Sequence, residues 1–314
     1  MAAKYLHLIK PLAVRSGPEG VYDEPRFWLD SKDSEGLNAH FSYGFLKTPG
    51  TICHPTRRDE ALVHPYDEVL VFAPCDAYGD ILDLGAEISI ELGEESEEQV
   101  FYEPSVVVIP RGVPHGPVTV RRLDKPIAHY LVGLNASYMA EFVHKRAKTM
   151  GLKYAHLVKK FRGAWLLFSK RFARPTRPDM ARLRVTSPGN ADQIAWFNGK
   201  DLEGVELNIS WGFYSNPGIW HGTGRGGAHV HPVDEALFFL GLDPQNINCL
   251  GAELEIGLGE EDERYVINRP TAVIAPKNVV HCPIITRWVD KPYAHFHLYL
   301  GAMYETRWLP EEQT

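Results

Sequence analysis

The residues best suited to chemistry in this chain fall in two short stretches of its C-terminal half. The first, Gly227-Ala228-His229-Val230-His231-Pro232-Val233-Asp234-Glu235, sets two imidazoles two residues apart and a carboxylate four residues later. Residues two apart on a strand share a face, so His229 and His231 project together. A turn favoured by Pro232 can bring Glu235 back to the same cavity. His281 follows the turn-like Ala275-Pro276-Lys277-Asn278-Val279-Val280 and so comes from another part of the fold. Three imidazoles and one carboxylate suit Fe(II), Mn(II), Co(II), Ni(II), Cu(II) or Zn(II), rather than a thiolate or all-oxygen site.

Further groups could line the same cavity. His295, His297 and Tyr299 alternate along Ala294-His295-Phe296-His297-Leu298-Tyr299 and share one strand face. Pointing inward, they would offer a catalytic acid/base pair or support for the ligands. Of Trp220 and His221, neighbours that face opposite ways, one enters. Arg225 could pair with a substrate carboxylate. Cys282, directly after His281, is expected to face away and serve packing.

The elements that must position these groups come as a repeat. His64-Pro65-Tyr66-Asp67-Glu68-Val69-Leu70 recurs as His231-Pro232-Val233-Asp234-Glu235-Ala236-Leu237, and Leu84-Gly85-Ala86-Glu87 as Leu250-Gly251-Ala252-Glu253. Pro110, His115 and His129 align with Pro276, His281 and His295, and Lys4-Tyr5-Leu6-His7-Leu8 is echoed by Lys153-Tyr154-Ala155-His156-Leu157. The chain is therefore a tandem duplication. Short β-branched and aromatic runs punctuated by Pro and Gly predict many short strands, hence a sandwich or barrel. Helix is sparse; the clearest is expected over Ser137 to Met150, with Ser137 as N-cap and Gly151 beyond its end. The first copy has Leu62 where the second has His229. His64, Glu68 and His115 remain there as a possible second metal site with open positions. The acid-rich stretches Gly93-Glu94-Glu95-Ser96-Glu97-Glu98 and Gly259-Glu260-Glu261-Asp262-Glu263 read as solvated hairpin tips, with calcium or magnesium binding as the alternative.

His-x-His-x-x-x-Glu followed by Pro-x-Asn-x-x-His resembles the two signature motifs of the cupin superfamily, usually written with Gly in place of that Asn. The first copy carries the second motif in its usual form, Pro110-Arg111-Gly112-Val113-Pro114-His115. The resemblance spans nearly the whole chain and implies an all-β bicupin of two tandem jelly-roll barrels with few helices. It implies His229, His231, Glu235 and His281 as metal ligands. It places an Fe(II) dioxygenase acting on a small aromatic or enolisable substrate first. The alternatives are a Mn(II)- or Zn(II)-dependent decarboxylase or isomerase, with Ni(II) also suitable, and a non-catalytic ligand-binding bicupin. A homodimer or higher even homo-oligomer is what such a family leads one to expect.

The domains expected are 1–150, a basic linker or arm over 151–185, and 186–314. The formal charge of −7 conceals a basic stretch from His144 to Arg184 with thirteen Lys or Arg against Asp179 alone. Without a nucleic-acid motif, that stretch is expected to lie on acidic surface of the chain or of a partner subunit. A small-molecule substrate is the expected partner, and neither nucleic acid nor a membrane is. Four cysteines without CxxC spacing and no evident leader predict a reduced, cytoplasmic protein.

Overall fold

Runs such as Val69-Leu70-Val71-Phe72 and Leu237-Phe238-Phe239-Leu240 are apolar at every position, which marks strands buried on both faces. In the computed structural model they form the strands Glu68–Pro74 and Glu235–Gly241, buried throughout. The structure describes residues 3–18, 21–22, 24–53, 60–144, 151–163, 165–168, 189–220 and 227–309. Two units emerge: Ala13–Gly163, and Met1–Leu12 together with Ala164–Thr314.

Each unit is a pair of antiparallel sheets, and the strand order is repeated. In the second unit, one sheet runs Ile9–Pro11, Thr271–Ala275, Glu235–Gly241, Tyr293–Tyr299, Asn208–Tyr214, Gln193–Phe197, Trp165–Phe168. The facing sheet runs Glu263–Ile267, Ala252–Leu258, His281–Val289, His229–Val230, Arg307–Trp308. The first unit matches it, with Glu68–Pro74 between Ser105–Ile109 and Ile127–Gly133. Leu237, Phe239, Leu254, Ile256, Leu258 and Val273 fill the second core, and Leu70, Phe72, Ile88, Ile90, Leu92 and Val107 the first. The fold is all-β, as expected from the sequence.

The boundaries differ from those read in the sequence. Residues 151–163 do not serve the second copy: Val158–Lys160 pairs with Ser105–Ile109 of the first unit. The second barrel receives the matching strand from the start of the chain, where Ile9–Pro11 pairs with Thr271–Ala275. Trp165–Phe168 does join the second unit, along Gln193–Phe197. Both arms dock in the same way. Tyr154 N–H donates to Glu97 at 3.0 Å and Lys153 Nζ to Glu95 at 3.1 Å. In the other unit, Lys4 N–H donates to Glu263 at 3.1 Å, and Lys4 Nζ and the Tyr5 hydroxyl reach Glu261 at 2.8 and 3.1 Å. The acid-rich stretches are hairpin tips, and what they hold is the basic arm. Gly93 and Gly259, with φ of +76° and +77°, lie beneath Tyr154 and Tyr5; a Cβ there would stand 2.1 and 2.2 Å from the ring. Most of the basic stretch lies outside the described residues.

The helix expected over Ser137 to Met150 is not formed over its first half. Glu141–His144 is a strand paired with Glu60–Val63, Phe142 opposite Leu62. Sheet-edge hydrogen bonds override the local helical pattern there, and residues 145–150 lie outside the described set. Among the described residues no helix is long and apolar enough to cross a membrane.

Leu8 and Leu157, 2 and 3% exposed, anchor the two arms in their cores. Leu8→Ala or Leu157→Ala is expected to lower stability by about 2–4 kcal/mol, measured by chemical denaturation. Leu6→Ala, at a residue 57% exposed, should leave it within about 0.5 kcal/mol of the parent.

Candidate metal centre

The local chain path brings the four sequence-predicted ligands together. His229 lies opposite His281 across adjacent strands, and Glu235 opens an interior strand of the other sheet. The loop between them is fastened at several points: Asn278 N–H donates to the His231 carbonyl at 2.8 Å, and Lys277 N–H to the Asp234 carboxylate at 2.9 Å. Leu300 N–H donates to the Asp234 carbonyl at 3.0 Å. Asn278 has φ +63°, a left-handed conformation that asparagine tolerates, which explains its presence where the motif usually has glycine.

All four side chains are at most 2% exposed. The rings of His229, His231 and His281 lie 4.3–5.1 Å apart. His281 Nε2 and His231 Nε2 stand 2.8 and 3.5 Å from the Glu235 carboxylate. Each imidazole is oriented from behind by a main-chain carbonyl: Gly227 for His229 at 2.6 Å, Glu305 for His231 at 2.6 Å, Val279 for His281 at 3.0 Å. A carbonyl only accepts, so every Nδ1 carries the proton and every Nε2 can present a lone pair inward. This is the arrangement by which proteins fix a metal-binding histidine. Glu235 Oε2 and His281 Nε2 are buried and 2.8 Å apart without hydrogen-bond geometry. An ion placed among the donors would satisfy both, so the donor set fits a divalent metal.

The electrostatics agree. Burial pushes the Glu235 carboxyl up, but His297, His281 and His231 together hold it well below the usual range. Burial lowers His231 to about 4, so it is neutral at pH 7. Burial also pulls His281 down, yet Glu235 outweighs this and raises it. A proton on His281 and a metal beside Glu235 would therefore compete for the same place.

No family model matches the chain, and no curated protein matches its sequence. Solved structures do. The oxalate decarboxylase of Bacillus subtilis at pH 4.6 aligns with TM-score 0.55 over 94% of this chain and 76% of its own, at 10% identity. A two-residue deletion mutant of that enzyme aligns at 0.57, 10% identity and 95 and 77% coverage. A structure of it studied for its Mn(II) centres gives 0.54, 10%, 95 and 77%. The fold is that of a bicupin.

In the N-terminal barrel, His64, Glu68 and His115 come together as the sequence suggested, their potential ligand atoms within 4.8 Å of one another. His64 Nδ1 donates to the Met139 carbonyl at 2.6 Å and His115 Nδ1 to that of Val113 at 3.1 Å. The loop is fastened as in the other copy, with Gly112 N–H on the His64 carbonyl and Arg111 N–H on Asp67. Burial lowers His64, but Glu68, 3.3 Å away, raises it overall. Leu62 is buried at the fourth position.

Of the tentative acid/base residues in the C-terminal barrel, His297 reaches the ligands: its Nε2 bonds Glu235 Oε1. The Tyr299 ring stands edge-on to His231 at 5.2 Å, and its hydroxyl accepts from Glu305 N–H. His295 packs instead against Trp220 and Phe239. His221 and Arg225 lie outside the described residues. Cys282 corrects the expectation that it faces away, because its sulfur lies within 4.8 Å of donor atoms of His229 and His281. A left-handed φ of +72° at Cys282 turns the side chain back, so strand alternation does not apply. Burial raises its thiol well above the ordinary range, which keeps it a neutral packing group in the metal-free protein.

Sequence reading missed Tyr304, whose hydroxyl lies 3.4 Å from His231 Nε2, and Trp196, whose ring is 5.0 Å from His297. It also missed Trp308, 4.8 Å from His229. The repeat carried a signal for two of them, since Tyr138 and Phe142 precede Tyr304 and Trp308 at the same spacing.

Two outcomes are expected. Metal and a proton compete for His281, so affinity should weaken as pH falls through the raised His281 pKa, with proton release on uptake below it. Calorimetry in buffers of different ionisation enthalpy checks this. His297→Leu, which installs the residue found at Leu131 of the first copy, should weaken Mn(II) affinity by about 10–100-fold, read by Mn(II) titration.

Proposed function

We propose that the chain is a divalent-metal enzyme that cleaves a carbon–carbon bond of a small carboxylate, with decarboxylation as its reaction and Mn(II) as its metal. The observation that carries this reading is the buried convergence of His231, Glu235 and His281, their ligand atoms within 4.8 Å of one another, with the carbonyl-anchored His229 ring packed against both histidines. The solved structures named above support decarboxylation with Mn(II) over the Fe(II) dioxygenase first expected, since they are oxalate decarboxylases and one was studied for Mn(II). Nothing in them speaks for iron or for dioxygen.

A bound metal would supply Lewis acidity, polarising a carboxylate held against it. The protein supplies the rest. Decarboxylation breaks a carbon–carbon bond, leaves the electron pair on the retained carbon and requires one proton in place of the CO₂. His297, bonded to Glu235, is the group positioned to deliver that proton. Burial raises the Tyr304 phenol well above its ordinary range, so it stays protonated and can donate a hydrogen bond to bound substrate. Trp196, Tyr299 and Tyr304 pack as aromatic rings around His297. The same reading makes His64, Glu68 and His115 a second, three-ligand site.

The test is anaerobic CO₂ release from small mono- and dicarboxylates by Mn(II)-loaded protein, beside His281→Ala. Release without dioxygen, lost together with one metal per chain in the variant, is the expected result. Turnover only with stoichiometric uptake of dioxygen would replace this reading by a dioxygenase.

A further inference from the structure

The two barrels differ most informatively one strand away from the carboxylate. In the C-terminal barrel Glu235, Tyr299 and Asn208 face each other directly across three adjacent strands. Tyr299 fills the middle, and Asn208 donates to the Gly301 carbonyl. The corresponding row in the N-terminal barrel is Glu68, Gly133 and His40. Directly opposed residues share a face, so His40 and Glu68 point the same way, about 10 Å apart at Cα by the strand spacing. The His40 ring leans into the gap: a Cβ on Gly133 would lie 2.2 and 2.3 Å from its Cε1 and Nε2.

His40 is 1% exposed. Its Nδ1 donates to the Asn135 carbonyl at 2.9 Å, which leaves the lone pair on Nε2. That atom is buried and has no hydrogen-bond partner. Trp28 stacks on the ring, and Tyr66 and Tyr138 stand edge-on to it. The same two tyrosines flank His64, so one aromatic frame serves both imidazoles.

We propose that Nε2 of His40 receives the O–H of a small hydroxyl-bearing ligand, such as a 2-hydroxy acid, bound at the His64, Glu68 and His115 site. This rests on the reading of those three residues as a metal site. His40 replaces no ligand and is not among the three convergent donors. It selects what occupies the coordination places that Leu62 leaves open, and Gly133 is the residue that makes room for it. The copies would then differ in ligand preference, because Tyr299 occludes the matching space.

The experiment removes the other site with His231→Ala and His281→Ala, loads Co(II), and follows the visible spectrum during titration with glycolate and, separately, acetate. One Co(II) per chain is expected with and without an added His40→Ala. Loss of His40 should weaken glycolate about tenfold, one hydrogen bond's worth, and leave acetate unchanged. His40→Gln, whose amide oxygen can accept, should recover part of the loss, which a folding defect would not. Gly133→Ala should mimic His40→Ala by displacing the ring. If glycolate and acetate weaken equally, or neither changes, the role of His40 is overturned. If the background chain takes up no Co(II), the three-ligand site itself is wrong and the assignment of His40 falls with it.

Discussion

A carboxylate with no access to water must be surrounded by groups that replace that water, and the C-terminal barrel is organised around this requirement at Glu235. Burying such a charge costs several kcal/mol unless compensating partners stand at the right distance. The partners are imidazoles from three separate elements, so the strand pairings and the loop staples must all hold at once. Asp234, next in sequence, ties two neighbouring loops through its side chain and its carbonyl. The histidines are oriented from outside the cluster by main-chain oxygens, which no substitution can remove directly. The Glu305 carbonyl that holds His231 depends on the path of the segment after Tyr299, so that segment belongs to the centre as much as its motifs do.

The two copies keep this scaffold and vary what it holds. Loop staples, carbonyl anchors and strand order recur almost residue for residue. Among the substitutions around the two centres, four change the chemistry most: Leu62 for His229, Leu131 for His297, Gly133 for Tyr299 and His40 for Asn208. Two of them remove an imidazole, and one adds an imidazole at a new angle. Duplication has preserved the geometry of presentation while the chemistry presented has diverged.

Much of this was legible in the sequence. Constant-offset repeats revealed two barrels, and two-residue spacing on a strand put His229 and His231 side by side. Ser137 to Met150 was misread because a local helical pattern says nothing of the free sheet edge that Glu60–Val63 offers to Glu141–His144. Cys282 was misread because alternation assumes extended backbone, and φ is positive there. Trp196 was invisible to motif spacing, since its place beside His297 depends on long-range packing. Which copy an arm serves could not be read from its similarity to the other arm.

That last point bears on how such a chain could arise and be divided. The second barrel takes its outermost strand, Ile9–Pro11, from ahead of the whole first barrel, whereas the first barrel's Val158–Lys160 follows its own last sheet strand. No single cut in the gene yields two fragments that both retain a complete sheet. A fragment starting near residue 164 would expose Thr271–Ala275 as a bare edge, open to any extended segment. Once each barrel relied on its arm, reverting to single-barrel genes would have required relocating a strand as well as splitting a sequence.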